Sequence, residues 1–201
     1  MINLTKVSAI LLTVLAFSSQ HVQAQSSIDQ AKALQSKYKD AEMYLLSSED
    51  NLKLEKNIGT KNVTIKYAKA YQYISLCINK DISLFEYYDN SSNILEFKAK
   101  SSLNQRRENN NKFCGTYSQK GIFFDDSKFC SQKITPKELG EIWDVNVQLV
   151  FNDAKYLNSI YFNEDYPLKE KVISITVPKD IDVEIKEFNF EGYDIVHTVK
   201  E

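Results

Sequence analysis

The order of apolar and polar residues along the chain changes character twice. A continuous apolar run fills residues 7–17, and apolar side chains between residues 28 and 45 then recur three or four positions apart, the spacing of one helix face, a pattern that decays after Ser47. From Lys61 onward, apolar residues instead occupy alternate positions, as they do in strands with one buried face. The pattern predicts a helical N-terminal segment over residues 25–58, with a partly disordered N-terminal arm as the alternative. It also predicts a β-rich domain over residues 59–201.

Alternation and turn-forming residues predict the individual elements of the β-rich domain. Residues 63–73 form the first expected strand. Two aromatic-rich runs, 83–88 and 94–99, flank the turn-forming residues 89–92, so a β-hairpin is expected there. Residues 135–140 combine a capping threonine, a proline and a final glycine, which predicts one short helical turn.

The last third of the chain has the most regular alternation. It predicts strands at 145–151, 173–177, 183–185 and 193–199, with a bulge near Glu187, where the alternation changes phase. Closely spaced strands without long helices between them favour two packed sheets over a doubly wound parallel sheet. The expected fold is therefore mainly β, an antiparallel β-sandwich with an N-terminal helix and one short internal helical turn.

The first residues carry the features of a secretory signal peptide. Lys6 supplies a positive charge before the apolar run, and Val22-Gln23-Ala24 ends the segment with residues that a signal peptidase accepts. The apolar run is shorter than the roughly 20 residues that cross a bilayer, so no membrane span is expected in the mature chain. The sequence predicts removal of residues 1–24 and export to the periplasm or the extracellular space.

Charge and cysteine content narrow the range of partners and suggest a covalent link. A net charge of -2 gives no long-range attraction for nucleic acid. Exported proteins commonly form disulfides, and Cys114 and Cys130 lie 16 residues apart in matching Lys-Phe-Cys triplets. We expect this pair to form a disulfide, with a reduced pair in an apolar core as the alternative. Cys77 would then remain as a small buried apolar residue.

No group of residues has the spacing of a catalytic or metal-binding motif. Once the signal peptide is removed, His197 is the only histidine, and the chain has neither a CxxC nor an HExxH motif. The sequence nominates no catalytic residue, no metal ligand and no cofactor-binding residue, so no enzyme is expected.

Aromatic residues offer a different kind of candidate, because the chain has 12 Tyr and 11 Phe. Tyr67, Tyr71 and Tyr73 fall on one face of an expected strand, and Tyr87 and Tyr88 fall in the expected hairpin. Aromatic residues are common in strands, where they pack in the core. The alternative interpretation is a platform that stacks on sugars, which would make the protein a glycan-binding module.

The run from Asn152 to Ile195 resembles a known family. Its features are Tyr161-Phe162, Tyr166-Pro167, a strand ending in Val177-Pro178-Lys179, and Phe188-Asn189-Phe190-Glu191-Gly192-Tyr193. They are similar to the N-terminal β-rich domain, itself of unknown function, of exported transglutaminase-like proteins of Bacteroidetes-type bacteria. In those proteins a papain-like domain with a Cys-His-Asp triad follows. The present sequence does not include that domain, so the resemblance implies an accessory or binding domain and carries over no catalytic residue.

Residues and resemblance together predict an exported, non-catalytic module that binds a protein, a peptide or a cell-envelope component. One alternative is the N-terminal part of a transglutaminase-like or cysteine-protease-like enzyme whose catalytic domain is missing or separately encoded. Strands of the family continue beyond the matched segment, so we expect the sandwich to lack closing strands at its C-terminus. An unpaired edge at residues 193–199, or at the strand beside them, would then favour self-association.

Overall fold

A computed structural model describes residues 26–57, 59, 62–104, 112–116, 126–157, 159–191 and 195–199. The described residues form one α-helix, α1 (residues 26–37), eight strands and one 3-10 turn, Ala154–Tyr156. The strands are β1 (Met43–Lys56), β2 (Val63–Ser75), β3 (Ile82–Tyr88), β4 (Ser92–Ser101), β5 (Lys112–Thr116), β6 (Lys128–Ile134), β7 (Ile142–Phe151) and β8 (Lys171–Thr176). The predicted signal peptide lies outside the described residues.

The strands form two sheets, which confirms the predicted mainly β sandwich. The larger sheet has the order β4-β7-β2-β1-β8, and the smaller sheet has the order β3-β6-β5. Every pairing is antiparallel except that of β1 with β8, which is parallel. The purely antiparallel arrangement that the alternation predicted is therefore wrong at this edge, because alternation fixes which face is buried but not the direction of a strand.

The main apolar core lies between the two sheets. Leu52, Tyr67 and Val147 from the larger sheet pack in one cluster with Leu84 and Ile134 from the smaller sheet. Burying these side chains removes the apolar surface of both sheets from water, which is the main force that holds a sandwich together.

A second, smaller cluster lies on the opposite face of the larger sheet. Ala31 of α1 is fully buried against Tyr44, Ile74 and Leu76, and Gln35 Nε2 donates a hydrogen bond of 2.7 Å to the carbonyl oxygen of Leu76. The helix thus covers one end of a sheet face that is otherwise polar.

Gly140 lies against the first turn of α1 and permits this close approach. Its φ of +81° is in the left-handed region, and a Cβ added there would lie 2.7 Å from the carbonyl oxygen of Ser27. Only glycine satisfies both requirements without strain.

The predicted helix is wrong beyond residue 37, since residues 43–56 form β1. The alternation of β1 is hidden by a bulge between Leu45 and Ser47, which shifts the phase of the pattern. It is hidden further because Ser48 and Asp50, both polar, occupy buried positions. The pattern of apolar residues therefore does not show where the helix ends and β1 begins.

The predicted hairpin at residues 83–99 is also wrong, although both strands and the turn exist. Asp89 Oδ1 accepts a hydrogen bond of 2.8 Å from the Ser91 N–H, which is the expected turn chemistry. However, β3 belongs to the smaller sheet and β4 to the larger one, so the turn carries the chain from one sheet to the other. Residues 135–140 form bends and a turn rather than a helical turn, and the short helical turn is at Ala154–Tyr156.

The strands predicted near the C-terminus beyond β8 are not formed among the described residues. Residues 181–191 and 195–199 carry no strand, so neither the strand at 183–185 nor a bulge near Glu187 is present. Tyr193 lies outside the described residues. Past β8, Asp180 lies beside the end of β1, where its carboxylate contacts Lys56 Nζ at 2.5 Å. Self-association through an edge strand stays a prediction.

Candidate functional site

One face of the smaller sheet carries exposed aromatic rings. Phe85 and Tyr87 come from β3, Phe113 from β5 and Phe129 from β6. Phe85, Tyr87 and Phe113 are 48%, 57% and 62% exposed, and Phe129 is half-buried. Gly115, Phe129 and Tyr87 are directly paired across the sheet, as are Phe113, Ser131 and Phe85, so all four rings share the side opposite the core. We call these four residues the aromatic face.

The four rings of the aromatic face form a continuous row. Phe85 stacks beside Tyr87 with ring centroids 6.4 Å apart and planes inclined by 19°. Phe129 lies 6.0 Å from Phe85 and 5.9 Å from Phe113, so it joins the rings of the two outer strands. These distances are typical of favourable aromatic pairs, which restrain one another's rotamers. The row is therefore an ordered surface on strands rather than on a loop.

Gly115 lets two of these rings lie close to the backbone of β5. A Cβ added at Gly115 would lie 3.3 Å from the Phe113 ring and 3.6 Å from the Phe129 ring. A larger residue would therefore push the rings away from the sheet. The small size of Gly115 keeps this part of the face flat.

A disulfide ties together the two strands beneath Phe113 and Phe129. Cys114 and Cys130 are paired directly across β5 and β6, with Cα atoms 4.0 Å apart and an S–S bond between them. This is well under the limit of about 7 Å for bridging, in agreement with the pairing that the sequence predicts. Cys77 is the free cysteine of the described chain; it packs half-buried against the core, and burial raises the pKa of its thiol.

The rim of the aromatic face includes an ion pair. Lys133 Nζ lies 2.6 Å from Asp81 Oδ2, and this contact holds the pKa of the Asp81 carboxyl below its usual range. An apolar centre within a polar rim is the usual composition of a protein-binding surface.

The aromatic residues that the sequence singled out lie elsewhere. Tyr67 and Tyr73 are each 7% exposed, and Tyr71 is half-buried, all on the inner face of β2. Burial raises the pKa of all three hydroxyls, and the carboxylate of Glu164 raises it further. Their interpretation as core residues is therefore confirmed.

The two adjacent tyrosines of β3 point in opposite directions. Tyr88 packs half-buried against the core, and Tyr87 alone of the five singled-out tyrosines belongs to the aromatic face. The three phenylalanines of the face were missed. The matching Lys-Phe-Cys triplets contained the signal, because in a strand a residue beside an inward cysteine points outward.

The remaining chemistry of the described chain is sparse. His197 is exposed, with Nε2 3.0 Å from Glu187 Oε1. Among the described residues, no three His, Cys, Asp or Glu side chains are arranged to hold a metal ion. Within the same ranges, no helix has both the length and the apolar character that crossing a membrane requires.

Fold and surface together define a two-sheet β-sandwich with an exposed aromatic face. No protein-family model matches the sequence, and no curated protein matches it. Among solved structures, a chain from Legionella pneumophila described as a putative nutrient binding protein is similar, with 12% identity and a TM-score of 0.33. The match covers 56% of this chain and 40% of the Legionella chain. A likeness this low carries no argument about ligand or activity.

Proposed function

We propose that this chain is an exported, non-catalytic β-sandwich module that binds a polypeptide segment of the cell envelope through the aromatic face. The observation that carries the proposal is the exposure of Phe85, Tyr87 and Phe113 on paired strands. Apolar surface left open to water is unfavourable unless a partner covers it, and contiguous patches of this kind are often functional.

The size and chemistry of the aromatic face favour a polypeptide segment over a second copy of the whole domain. The four rings expose roughly 400 Å², taking about 200 Å² for a whole aromatic side chain. A stable protein dimer buries about 800 Å² on each partner. Among the described residues, β3 and β5 each pair with β6 alone, so their outer edges offer backbone groups to an extended peptide.

Export is supported by the predicted signal peptide and by the Cys114–Cys130 disulfide, which suits an oxidising compartment. The resemblance of residues 152–195 supports an accessory role beside a transglutaminase-like partner. We expect the intact mass of the exported protein to begin at Gln25. A mature protein that retains residues 7–17 would contradict export by this route.

A glycan is the second candidate ligand, and the arrangement of Phe85 and Tyr87 favours it. Their rings are inclined by only 19° and lie side by side, as surfaces that stack on sugar rings require. Tyr87 and Ser131 could add hydroxyl groups for hydrogen bonds to a sugar. Three of the four rings belong to phenylalanine, however, which has no polar group for this purpose.

Sedimentation with envelope fragments of the producing cells tests the proposal. The mature protein should pellet with untreated fragments and stay in solution with protease-treated fragments. Phe85→Ser combined with Phe113→Ser should abolish pelleting, and circular dichroism would check that this variant is folded. Leu95→Ser is the matched control, because Leu95 is 64% exposed but lies on β4.

Each outcome of this experiment has a distinct meaning. Retained binding to protease-treated fragments would replace the polypeptide ligand with a glycan. Equal pelleting of wild type and the double variant would rule out the aromatic face, and no pelleting by wild type would contradict envelope binding.

A further inference from the structure

Lys171 is a buried lysine of β8 in contact with two carboxylates. Its side chain is 5% exposed, and its Nζ lies 3.1 Å from Asp50 Oδ2 and 2.5 Å from Glu164 Oε1. The backbone oxygen of Tyr161 accepts a further hydrogen bond from Nζ at 2.8 Å. Lysine and aspartate are rarely this deeply buried. The contact is therefore not an ordinary surface ion pair.

The sheet itself brings the lysine and the aspartate together. β8 runs parallel to β1, with Lys171 directly beside Ser48 and Ile173 directly beside Asp50. Lys171 and Asp50 thus lie on the same inward face, two register positions apart. Ser48 Oγ also donates a hydrogen bond of 3.1 Å to Glu164 Oε1, which fixes the second carboxylate against Nζ.

The ion pair with Lys171 involves only one oxygen of the Asp50 carboxylate, Oδ2. Asp50 is 1% exposed, and although the Tyr67 hydroxyl interacts with the carboxylate, no donor meets hydrogen-bond geometry at Oδ1. A buried carboxylate oxygen without a donor is costly, and burying separated charges adds to the cost. Tyr67 and Tyr73, each 7% exposed, belong to the same inner face and keep water from the site. A bond that removes both charges would relieve this cost.

We propose that Lys171 and Asp50 form an intramolecular isopeptide bond, with Glu164 carrying protons during the reaction. A proton first passes from the Lys171 ammonium to the Asp50 carboxylate, which leaves a neutral amine beside a neutral acid. The Nζ electron pair then attacks Asp50 Cγ and forms the new C–N bond. Glu164 takes a proton from the nitrogen and gives it to a hydroxyl on Cγ. That C–O bond breaks, one water leaves, and Glu164 is regenerated.

The bond needs no oxidant, reductant or second substrate. An ammonium and a carboxylate become an amide and water, so atoms and charge balance. The product links β1 to β8, and among the described strands β8 pairs with β1 alone. The cross-link would therefore hold an edge strand that one row of backbone hydrogen bonds otherwise retains.

Intact-mass spectrometry of the mature protein, reduced and denatured, tests the bond. We expect a mass one water below that of the sequence, and protease digestion should release a branched peptide joining the segments around residues 50 and 171. Cyclisation of an N-terminal Gln25 would not imitate this result, because it releases ammonia. Wild-type protein at the full sequence mass, or a water loss mapped to another site, would overturn the proposal.

Variants separate the reacting groups from the proton carrier. Lys171→Met should have its full sequence mass, since no amine remains to react. Glu164→Gln keeps both reacting residues, and we expect most of it to be recovered without the bond. Undiminished cross-linking in Glu164→Gln would remove Glu164 from the mechanism. The mass of the wild-type protein alone decides whether the bond exists, so misfolding of a variant does not affect that result.

Discussion

Breaking the Cys114–Cys130 bridge should weaken the protein by an amount that follows from the loop it closes. The bridge joins residues 16 apart, and a loop of this size corresponds to about 3 kcal/mol of unfolding free energy in the chain-entropy treatment. Reduction keeps every side chain in place, so it isolates the cross-link from packing. We therefore expect the reduced protein to lose about 3 kcal/mol.

The loss should appear first at the aromatic face. β5 has five residues and, among the described strands, pairs with β6 alone, so the bridge is its strongest attachment. When β5 frays, Phe113 leaves the row of rings and Phe129 loses a neighbour at 5.9 Å. Reduced protein should therefore pellet less with envelope fragments even under conditions in which the main core remains folded.

Urea unfolding followed by tryptophan fluorescence is the direct assay. Trp143 is the only tryptophan of the chain, and at 6% exposure in β7 it reports on the core between the sheets. Cys77→Ala, compared with and without reductant, shows whether the free thiol contributes. An unfolding free energy that reduction changes by less than about 0.5 kcal/mol would refute the reasoning, since it would mean that the bridge does not constrain the unfolded chain.

Three further predictions concern packing and charge. Gly140→Ala should cost about 2 kcal/mol or more in unfolding free energy, because a left-handed φ is combined with a backbone contact at 2.7 Å. Gly59→Ala, with a similar φ and open space around it, should cost only about 1 kcal/mol. Leu45→Ala should cost about 2–5 kcal/mol, and the exposed Leu95→Ala less than about 0.5 kcal/mol, when measured by urea unfolding. Burial raises the pKa of Glu86 above its usual 4.5, so the folded state binds more protons and stability should fall as pH rises through the window just above 4.5. Urea midpoints of Glu86→Gln across this window should lack that fall; the same fall in the variant would assign it to another group.

Much of the sandwich could be predicted because most strands have an apolar inner face. β7 alternates Val145, Val147 and Leu149 with polar residues, and the structure buries these three side chains in the main core. β2 follows the same pattern from Val63 onward. Where burial and polarity agree in this way, the period of two is sufficient to identify a strand.

The pairing of strands could not be predicted from the same pattern. Residues 83–88 and 94–99 have all the local features of a hairpin, but the tight turn between them crosses from one sheet to the other. The parallel pairing of β1 with β8 cannot be predicted from local sequence either, because it joins segments far apart in the chain. Partner choice depends on how the two sheets pack over the core, which no local window of sequence contains.

Two faces of the sandwich carry residues that the usual strand pattern does not predict. The inner face of β1 has Ser48 and Asp50 where apolar side chains are the rule, so its alternation is hidden and the sequence predicts helix there. The outer face of the smaller sheet has Phe85 and Phe113 where polar residues are the rule. Neither exception stabilises the fold, since a buried carboxylate and an exposed ring each carry a free-energy cost. Such departures from local consistency are expected at functional sites. The first exception is the proposed cross-link and the second is the proposed binding surface, so each proposal rests on a position that folding by itself does not explain.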